Sequence, residues 1–319
     1  MLYKYVRVLI KCLSAIVQMH CIGIGKDPAG FILKLNHKRH LLNKGMNEMF
    51  NKLNKNATIF KELSKTPSWW QTFKSNPDLY IEVRKDNQVN VYFEGGSVAK
   101  IHYCSRHKKL QVFTHHKYLG ILKARTMYVE CSDFIDRDID NILGRVKSCY
   151  SQKKSLDSLL AKESWSEKYI QGRLITSNLQ HHLYSEFAYK DKTTDIRIDI
   201  VDVVDGKITF VELKRLDDGR MLKESDDNPE IISQMNTYRE FIRENKNSLL
   251  NYYQRLYEIK KSLGLPIPDS HPVDVNTTPE LLIFNRWVKA HHARTQHRER
   301  MEQILKRENI CYSIIDELL

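Results

Sequence analysis

Apolar positions along the chain change their period several times, and each change predicts an element. Over residues 35–63, Leu41, Met46, Met49, Phe50, Leu53, Ile59, Phe60 and Leu63 recur at helical spacing, which predicts one or two amphipathic helices with Asn and Lys facing outward. From residue 79 the period falls to two. Runs at 79–84, 89–93, 98–102 and 110–113, separated by Asp86-Asn87 and Gly95-Gly96, predict an antiparallel meander over residues 77–130. A connection with helix follows, and Ser164 to Glu167 opens a helix to about residue 179 with Trp165, Tyr169, Ile170, Leu174 and Ile175 as its inner face.

The second half alternates strands and helices. A short strand at 183–189 leads to two alternating runs, 196–204 and 207–214, joined by Asp205-Gly206, a dipeptide that favours a tight hairpin turn. After a charged loop, Asp227-Asn228-Pro229 supplies a capping residue and a first-turn Pro for a helix that turns Ile231, Ile232, Met235, Tyr238 and Phe241 inward. A further helix is expected at 248–263, then a Pro-containing connection, a strand at 280–285, a basic helix at 286–308 and a last strand at 310–315. The fold class expected is α/β (α+β mixed).

Composition narrows the class of partner. The chain has 319 residues, 41% hydrophobic and 28% charged, as globular proteins do, and length alone favours two domains. A formal charge of +12 favours an anionic partner, most simply nucleic acid. Six cysteines, without a CxxC pair or a Cys/His group at zinc-finger spacing, predict a reduced cytoplasmic protein without structural zinc. Near the N-terminus, Lys11, Gln18 and His20 interrupt the apolar run, so a leader or short helix is expected over residues 1–30, and no membrane segment. Asp133, Asp136, Asp138 and Asp140 lack the Gly and terminal Glu of a calcium loop and read as a solvated turn or helix start.

The hairpin carries the chemistry. Alternation places Glu212 and Lys214 on one face of its second strand, with Val211 and Leu213 on the other, and antiparallel pairing brings Asp199 toward the Glu212 face. Two carboxylates beside an ammonium suit a hard cation such as Mg²⁺ that keeps open positions for phosphate oxygens. Downstream, Gln234 and Tyr238 stand four apart on one helix face and can both reach back to the sheet.

Asp199 with Glu212-Leu213-Lys214 resembles the signature of the PD-(D/E)xK nuclease superfamily, with Ile198 in place of the Pro of its name, and Gln234 to Tyr238 resembles the QxxxY motif of its RecB-like members. The resemblance covers residues 160–319 and implies a restriction-endonuclease-like core sheet flanked by helices. It implies a metal-dependent nuclease, DNA favoured, in which Asp199, Glu212 and the Leu213 carbonyl hold Mg²⁺ or Mn²⁺. Lys214 then orients or helps deprotonate the attacking water, with Gln234 and Tyr238 as positioning groups. The first helix of such cores often adds a Glu: Glu167 matches that position, and Glu186 is the rival. Restriction, phage defence and repair all fit, as does a catalytically inactive nucleic-acid-binding protein that retains the fold; a homodimer or a defence-system partner stays open.

Residues 151–319 are therefore expected to form the nuclease-like domain, and 31–150 a helical and β-meander accessory domain. Basic and aromatic residues interleave along that meander, among them Arg84, Lys85, Tyr92, Lys100, Arg106, Lys108, Lys109, Lys117 and Tyr118. They form either a track for a phosphate backbone with stacking platforms, or a core with solvated lysines around it. Arg106, Lys108 and Lys109 from the meander, Arg215 and Arg220 from the loop, and Arg294 and Arg298 from the basic helix are the expected nucleic-acid contacts, the helix serving either as a grip on DNA or as a solvated face.

Overall fold

A computed structural model describes residues 52–121, 125–132, 135–150, 166–191, 194–221, 227–285 and 291–316. The chain divides into two units, Met1–Met49 and Phe50–Leu319, and everything described belongs to the second. The leader expected at 1–30, Trp165, Asp133 and most of the helices expected at 35–63 lie outside the described residues. Within them the fold is mixed α/β, with two sheets and six α-helices.

Two short helices, α1 (Thr58–Leu63) and α2 (Ser68–Ser75), bury Ile59, Phe60 and Leu63, and Trp69, Trp70 and Phe73. The first sheet is the expected meander: β1 (Leu79–Val83), β2 (Val89–Phe93), β3 (Gly96–Cys104), β4 (Lys109–His115) and β5 (Tyr128–Glu130), each antiparallel to the next. After it, α3 (Ile135–Tyr150) begins with Asp136 and Asp138 in its first turn. Carboxylates there complement the partial positive charge of a helix N-terminus, which accounts for these two members of the acidic run.

The second sheet starts with α4 (Glu167–Ser177), whose N-cap Ser166 accepts a hydrogen bond from the Tyr169 N–H. Then come β6 (His182–Lys190), β7 (Asp195–Val204) and β8 (Lys207–Arg215), mutually antiparallel. Asp205 and Gly206 both take positive φ, 50° and 75°, as a primed hairpin turn requires. β10 (Glu280–Phe284) pairs parallel with β8 and β11 (Cys311–Ile315) parallel with β10, while the two-residue β9 (Asp274–Val275) pairs with the start of β8. Parallel neighbours need crossovers, and two helices make them: α5 (Glu230–Ser262) between β8 and β10, and α6 (His291–Arg307) between β10 and β11. β8 thus lies between neighbours on both sides, and every residue from Ile208 to Lys214 is buried.

Two helix expectations are corrected. The helices expected after Pro229 and at 248–263 are one helix of 33 residues, because the inward stripe continues without a break through Ile242, Asn245, Leu249, Tyr252, Tyr253 and Leu256. The polar stretch at 245–248 does not stop it: Asn245 turns its amide onto the Phe241 carbonyl at 2.8 Å and stays in the stripe. Asp227 is not its cap. The N-cap is Pro229, with no side-chain bond, and Asp227 instead meets Arg300 at 3.0 Å.

Polar contacts join the two sheets. Glu82 of β1, fully buried, accepts from His182 Nε2 of β6 at 2.8 Å and lies 3.9 Å from Lys260 of α5, whose ammonium also donates to the Leu183 carbonyl at 2.9 Å. Beside them Arg84 donates to the Ser185 carbonyl at 2.5 Å. Backbones also touch: a Cβ on Gly172 of α4 would fall 2.6 Å from the Gly95 N at the β2–β3 turn. Glycine there lets α4 lie directly on the first sheet.

Candidate active site

The β7–β8 ladder runs from the turn to the pair Ile200–Val211. One residue further, Asp199 leaves the ladder. Its Oδ2 accepts from the Leu213 N–H at 2.9 Å, and its own carbonyl accepts from Gln171 Nε2 of α4 at 2.6 Å. A side chain has taken over a backbone bond, so the Asp199 carboxylate is held against β8 at the level of Leu213.

Alternation along β8 does the rest. Leu213 packs against Ile170 and Phe284, and Glu212 and Lys214 turn the other way. The Lys214 ammonium, almost wholly buried, lies 2.5 Å from Glu212 Oε1, 2.7 Å from the Leu213 carbonyl oxygen and 3.7 Å from Asp199 Oδ2. From α5, Gln234 Nε2 donates to Glu212 Oε1 at 2.8 Å and to the Tyr238 hydroxyl at 2.6 Å, and that hydroxyl donates in turn to the Arg197 carbonyl. The i and i+4 positions of the helix therefore reach both hairpin strands. They line a cavity of about 660 Å³ together with Glu167, Asp199, Glu212, Lys214 and Arg220.

Five carboxylates line the cavity, and three of them, Glu167, Asp199 and Glu212, are raised by burial. Burial, and then the Asp199 charge, push Glu212 up to about 8 against the pull of Lys214. Burial also raises Asp199 and Glu167, with Lys214 drawing both back. Glu212 Oε2 and Gln234 Oε1 are buried without a hydrogen-bond partner among the described residues. A buried acceptor of this kind is expensive unless something positive meets it.

Of the two candidates for an added carboxylate, Glu167 joins this cavity from the first turn of α4. Glu186 does not line it. It takes a left-handed φ of 54° on β6 and turns its carboxylate to Arg84 at 3.4 Å and Lys168 at 3.7 Å. The expected cationic contacts also separate. Arg220 lines the cavity, braced on Asp218 at 3.0 Å, and Arg215 pairs with Asp217 at 2.5 Å. Arg106, Lys108 and Lys109 sit exposed at the β3–β4 turn of the other sheet. Arg294 donates to the Asn285 carbonyl at 2.6 Å and so braces the end of β10, whereas Arg298 donates to Glu302 at 3.0 Å within α6.

Sequence reasoning missed Gln171, which fixes the Asp199 backbone. Its signal was available: a polar residue inside the apolar stripe of α4, one helical turn after Glu167. It also missed Glu230, Ser233 and Thr237, which share the cavity face of α5 with Gln234 at helical spacing.

Among the described residues no group of three His, Cys, Asp or Glu side chains converges closely enough to hold a metal ion. The oxygens that do converge are of mixed origin: Asp199 Oδ2, Glu212 Oε1 and the main-chain carbonyl of Leu213, all around the Lys214 ammonium. With the unpartnered Glu212 Oε2 beside them, this donor set fits a hard divalent cation. No family model, characterised protein or solved structure matches the chain.

Proposed function

We propose that the chain is a metal-dependent nuclease that hydrolyses phosphodiester bonds, with DNA the favoured substrate, and that it belongs to the PD-(D/E)xK superfamily its motifs resemble. The observation that carries this reading is the meeting of Asp199, Glu212, the Leu213 carbonyl and Lys214, with Gln234 and Tyr238 reaching them from α5. The order helix, three antiparallel strands, helix, parallel strand from α4 to β10 supports it, being the core order the resemblance implies.

A divalent cation on Asp199, Glu212 and the Leu213 carbonyl would polarise a phosphate and make water acidic enough to attack it. The chain's own groups do the remaining work. Lys214 offers its ammonium to charge that builds on the phosphate oxygens. Gln234 holds Glu212 Oε1 in place, and Tyr238, anchored on the Arg197 carbonyl, holds Gln234. Arg220 adds positive charge at the cavity wall. The water gives a proton to solvent as its oxygen bonds to phosphorus, the bond to the leaving sugar oxygen breaks, and that oxygen takes a proton from solvent.

The test is incubation of purified protein with linear DNA, circular DNA and RNA, in Mg²⁺ or Mn²⁺ and in EDTA, beside Lys214→Ala and Glu212→Gln. Cation-dependent cleavage lost in both variants is the expected result. Nucleic-acid binding without cleavage under any cation would replace this reading with that of an inactive binding protein.

A further inference from the structure

A second cavity, of about 450 Å³, opens between the first sheet and β6, and the proposed chemistry does not use it. A bulge shapes it. Val91 pairs with Ala99 and Tyr92 with Ser97, so Val98 of β3 is an extra residue opposite β2. Three apart on a regular strand, Ser97 and Lys100 would face opposite ways; the bulge turns both to the side of Asn90 and Tyr92, and all four line the cavity. The other side of these strands, Val91, Val98, Ala99 and Ile101, is fully buried.

The lining is cationic. Arg84, Lys85, Lys100, Lys117 and Lys168 stand against Asp86 and Glu186, an excess of three positive charges. Glu186 is already engaged by Arg84 at 3.4 Å and Lys168 at 3.7 Å, and Asp86 Oδ2 accepts from Gln88 Nε2 at 2.8 Å. Lys85 and Lys100 have no ion pair among the described residues. The tyrosines of the lining are covered by these cations: Arg84 lies 5.2 Å and 5.0 Å from the Tyr92 and Tyr184 ring centres, Lys117 4.9 Å from Tyr118 and Lys100 3.7 Å from Tyr128. The rings hold the cations in place, so what the cavity offers a ligand is charge and not a stacking surface.

Unused polar groups sit beside that charge. Ser97 Oγ and Asn90 Oδ1 are buried without a hydrogen-bond partner among the described residues. The Ser97 hydroxyl can donate. The Asn90 amide donates to the Tyr92 hydroxyl at 3.1 Å, and a half-turn of the amide lets that hydroxyl donate to Oδ1 and sets Nδ2 where Oδ1 stood. Ammonium, hydroxyl and amide donors within an excess of positive charge suit phosphate oxygens, which only accept. Burial, and then Lys117, His116 and Lys100, hold His115 of the same lining below its ordinary value, as uncompensated cations require.

We propose that this cavity is a phosphate-binding site, with Lys85 and Lys100 as its available cations and Ser97 and Asn90 as its neutral donors, and that it takes phosphates of a nucleic-acid backbone or of a free oligophosphate. It borders the catalytic cavity. Glu167 and Lys168, adjacent in the first turn of α4, line one cavity each, so a backbone held here passes beside Asp199 and Glu212. Calling that backbone the substrate rests on the nuclease reading; the phosphate site itself does not.

The experiment is titration calorimetry with sodium tripolyphosphate, and fluorescence anisotropy of a labelled DNA oligonucleotide, both on the full chain in EDTA. Lys85→Glu/Lys100→Glu is expected to weaken at least one of the two probes by about tenfold or more. Lys108→Glu/Lys109→Glu, the same change of charge at the exposed β3–β4 turn, is expected to leave both within about twofold. In the unaltered protein the bound probe is expected to protect Lys85 and Lys100 from acetylation, read by mass spectrometry, a result that needs no variant. Weakened oligonucleotide binding in the first pair identifies backbone phosphates as the occupant, and weakened tripolyphosphate binding alone identifies a free oligophosphate. Binding of neither probe, affinities unchanged in a folded Lys85→Glu/Lys100→Glu protein, equal weakening by the two pairs, or protection confined to other lysines would each overturn the proposal. Cleavage is scored separately with a cation present: phosphate binding here without cleavage would remove the nuclease reading and leave this site standing.

Discussion

The Lys214 ammonium lies 2.5 Å from Glu212 Oε1, and the other oxygens nearest to it are those that the proposed cation would need, the Leu213 carbonyl and Asp199 Oδ2. Lysine and cation therefore compete for one position, and loading the site requires the ammonium to move toward the cavity.

That competition sets a first prediction. Lys214→Met should lose cleavage by about a hundredfold or more, yet bind Mn²⁺ more tightly, by about tenfold if the lost pairing is worth about 1.4 kcal/mol. Titration calorimetry with Mn²⁺ reads the affinity directly. Weaker binding in Lys214→Met would show that the two do not share a position.

Cation binding should also appear as stability. Mn²⁺ at a hundred times its dissociation constant should stabilise the wild-type protein by about 2.7 kcal/mol, a rise in Tm that Asp199→Asn and Glu212→Gln abolish. Without cation, Glu212→Gln should be more stable than wild type near pH 8.5. Burial and Asp199 have raised the Glu212 carboxyl to about 8, so its ionisation there works against folding.

Tyr238 and Gln234 separate stability from positioning. Tyr238→Phe removes the bond to the Arg197 carbonyl and should cost about 1 kcal/mol, read by urea denaturation, with a modest loss of rate. Gln234→Leu frees Glu212 Oε1 and should lower kcat more than it changes cation affinity.

The Glu82–His182–Lys260 network predicts how stability follows pH. Burial alone would raise Glu82, but Lys260 and His182 outweigh it and hold the carboxyl at about 2. Its folded value is depressed, so its contribution is complete above its unfolded value of about 4.3 and fades as pH falls toward 2. His182 is raised by Glu82 and Asp202 despite burial. Its contribution is complete below about 6.5 and fades as pH rises through the folded value. Denaturation midpoints should peak between these limits, and Glu82→Gln should flatten the acid side. A profile unchanged by Glu82→Gln would show that the network does not govern acid stability.

Two glycines make opposite predictions. Gly172→Ala would set a Cβ 2.6 Å from the Gly95 backbone and should cost about 1–3 kcal/mol, while also displacing the helix that carries Glu167 and Gln171. Gly144→Ala, in α3 with nothing within 4 Å, should stabilise by about 0.5–1 kcal/mol. Thermal melts of the pair test the packing of α4 on the first sheet.

Much of the site is legible in short-range pattern. Period two along 207–214 places Glu212 and Lys214 on one face, Asp205-Gly206 sets the hairpin that returns Asp199 to them, and the spacing of four joins Gln234 to Tyr238. Pattern failed where a contact spans distant parts of the chain. Nothing near residue 82 announces His182 and Lys260, and nothing near residue 199 announces that Gln171 will hold its carbonyl. The basic and aromatic residues of the meander were an undivided set in sequence. Folding sorts them: Arg84, Lys85, Tyr92, Lys100, Lys117 and Tyr118 line the second cavity, while Arg106, Lys108 and Lys109 stay at an exposed turn.

The sequence alone determined the hairpin and the faces of Glu212 and Lys214, because backbone geometry imposes periods of 2 and 3.6 whatever the neighbours are, but not the unbroken 33-residue helix that follows. Only the tertiary structure decided depth and partnership. Sheet order puts β8 between β7 and β10, and that burial turns an ordinary Glu-x-Lys into a carboxylate raised to about 8, touching a buried ammonium. Desolvation depends on everything packed around a group, and no run of neighbours in sequence encodes it.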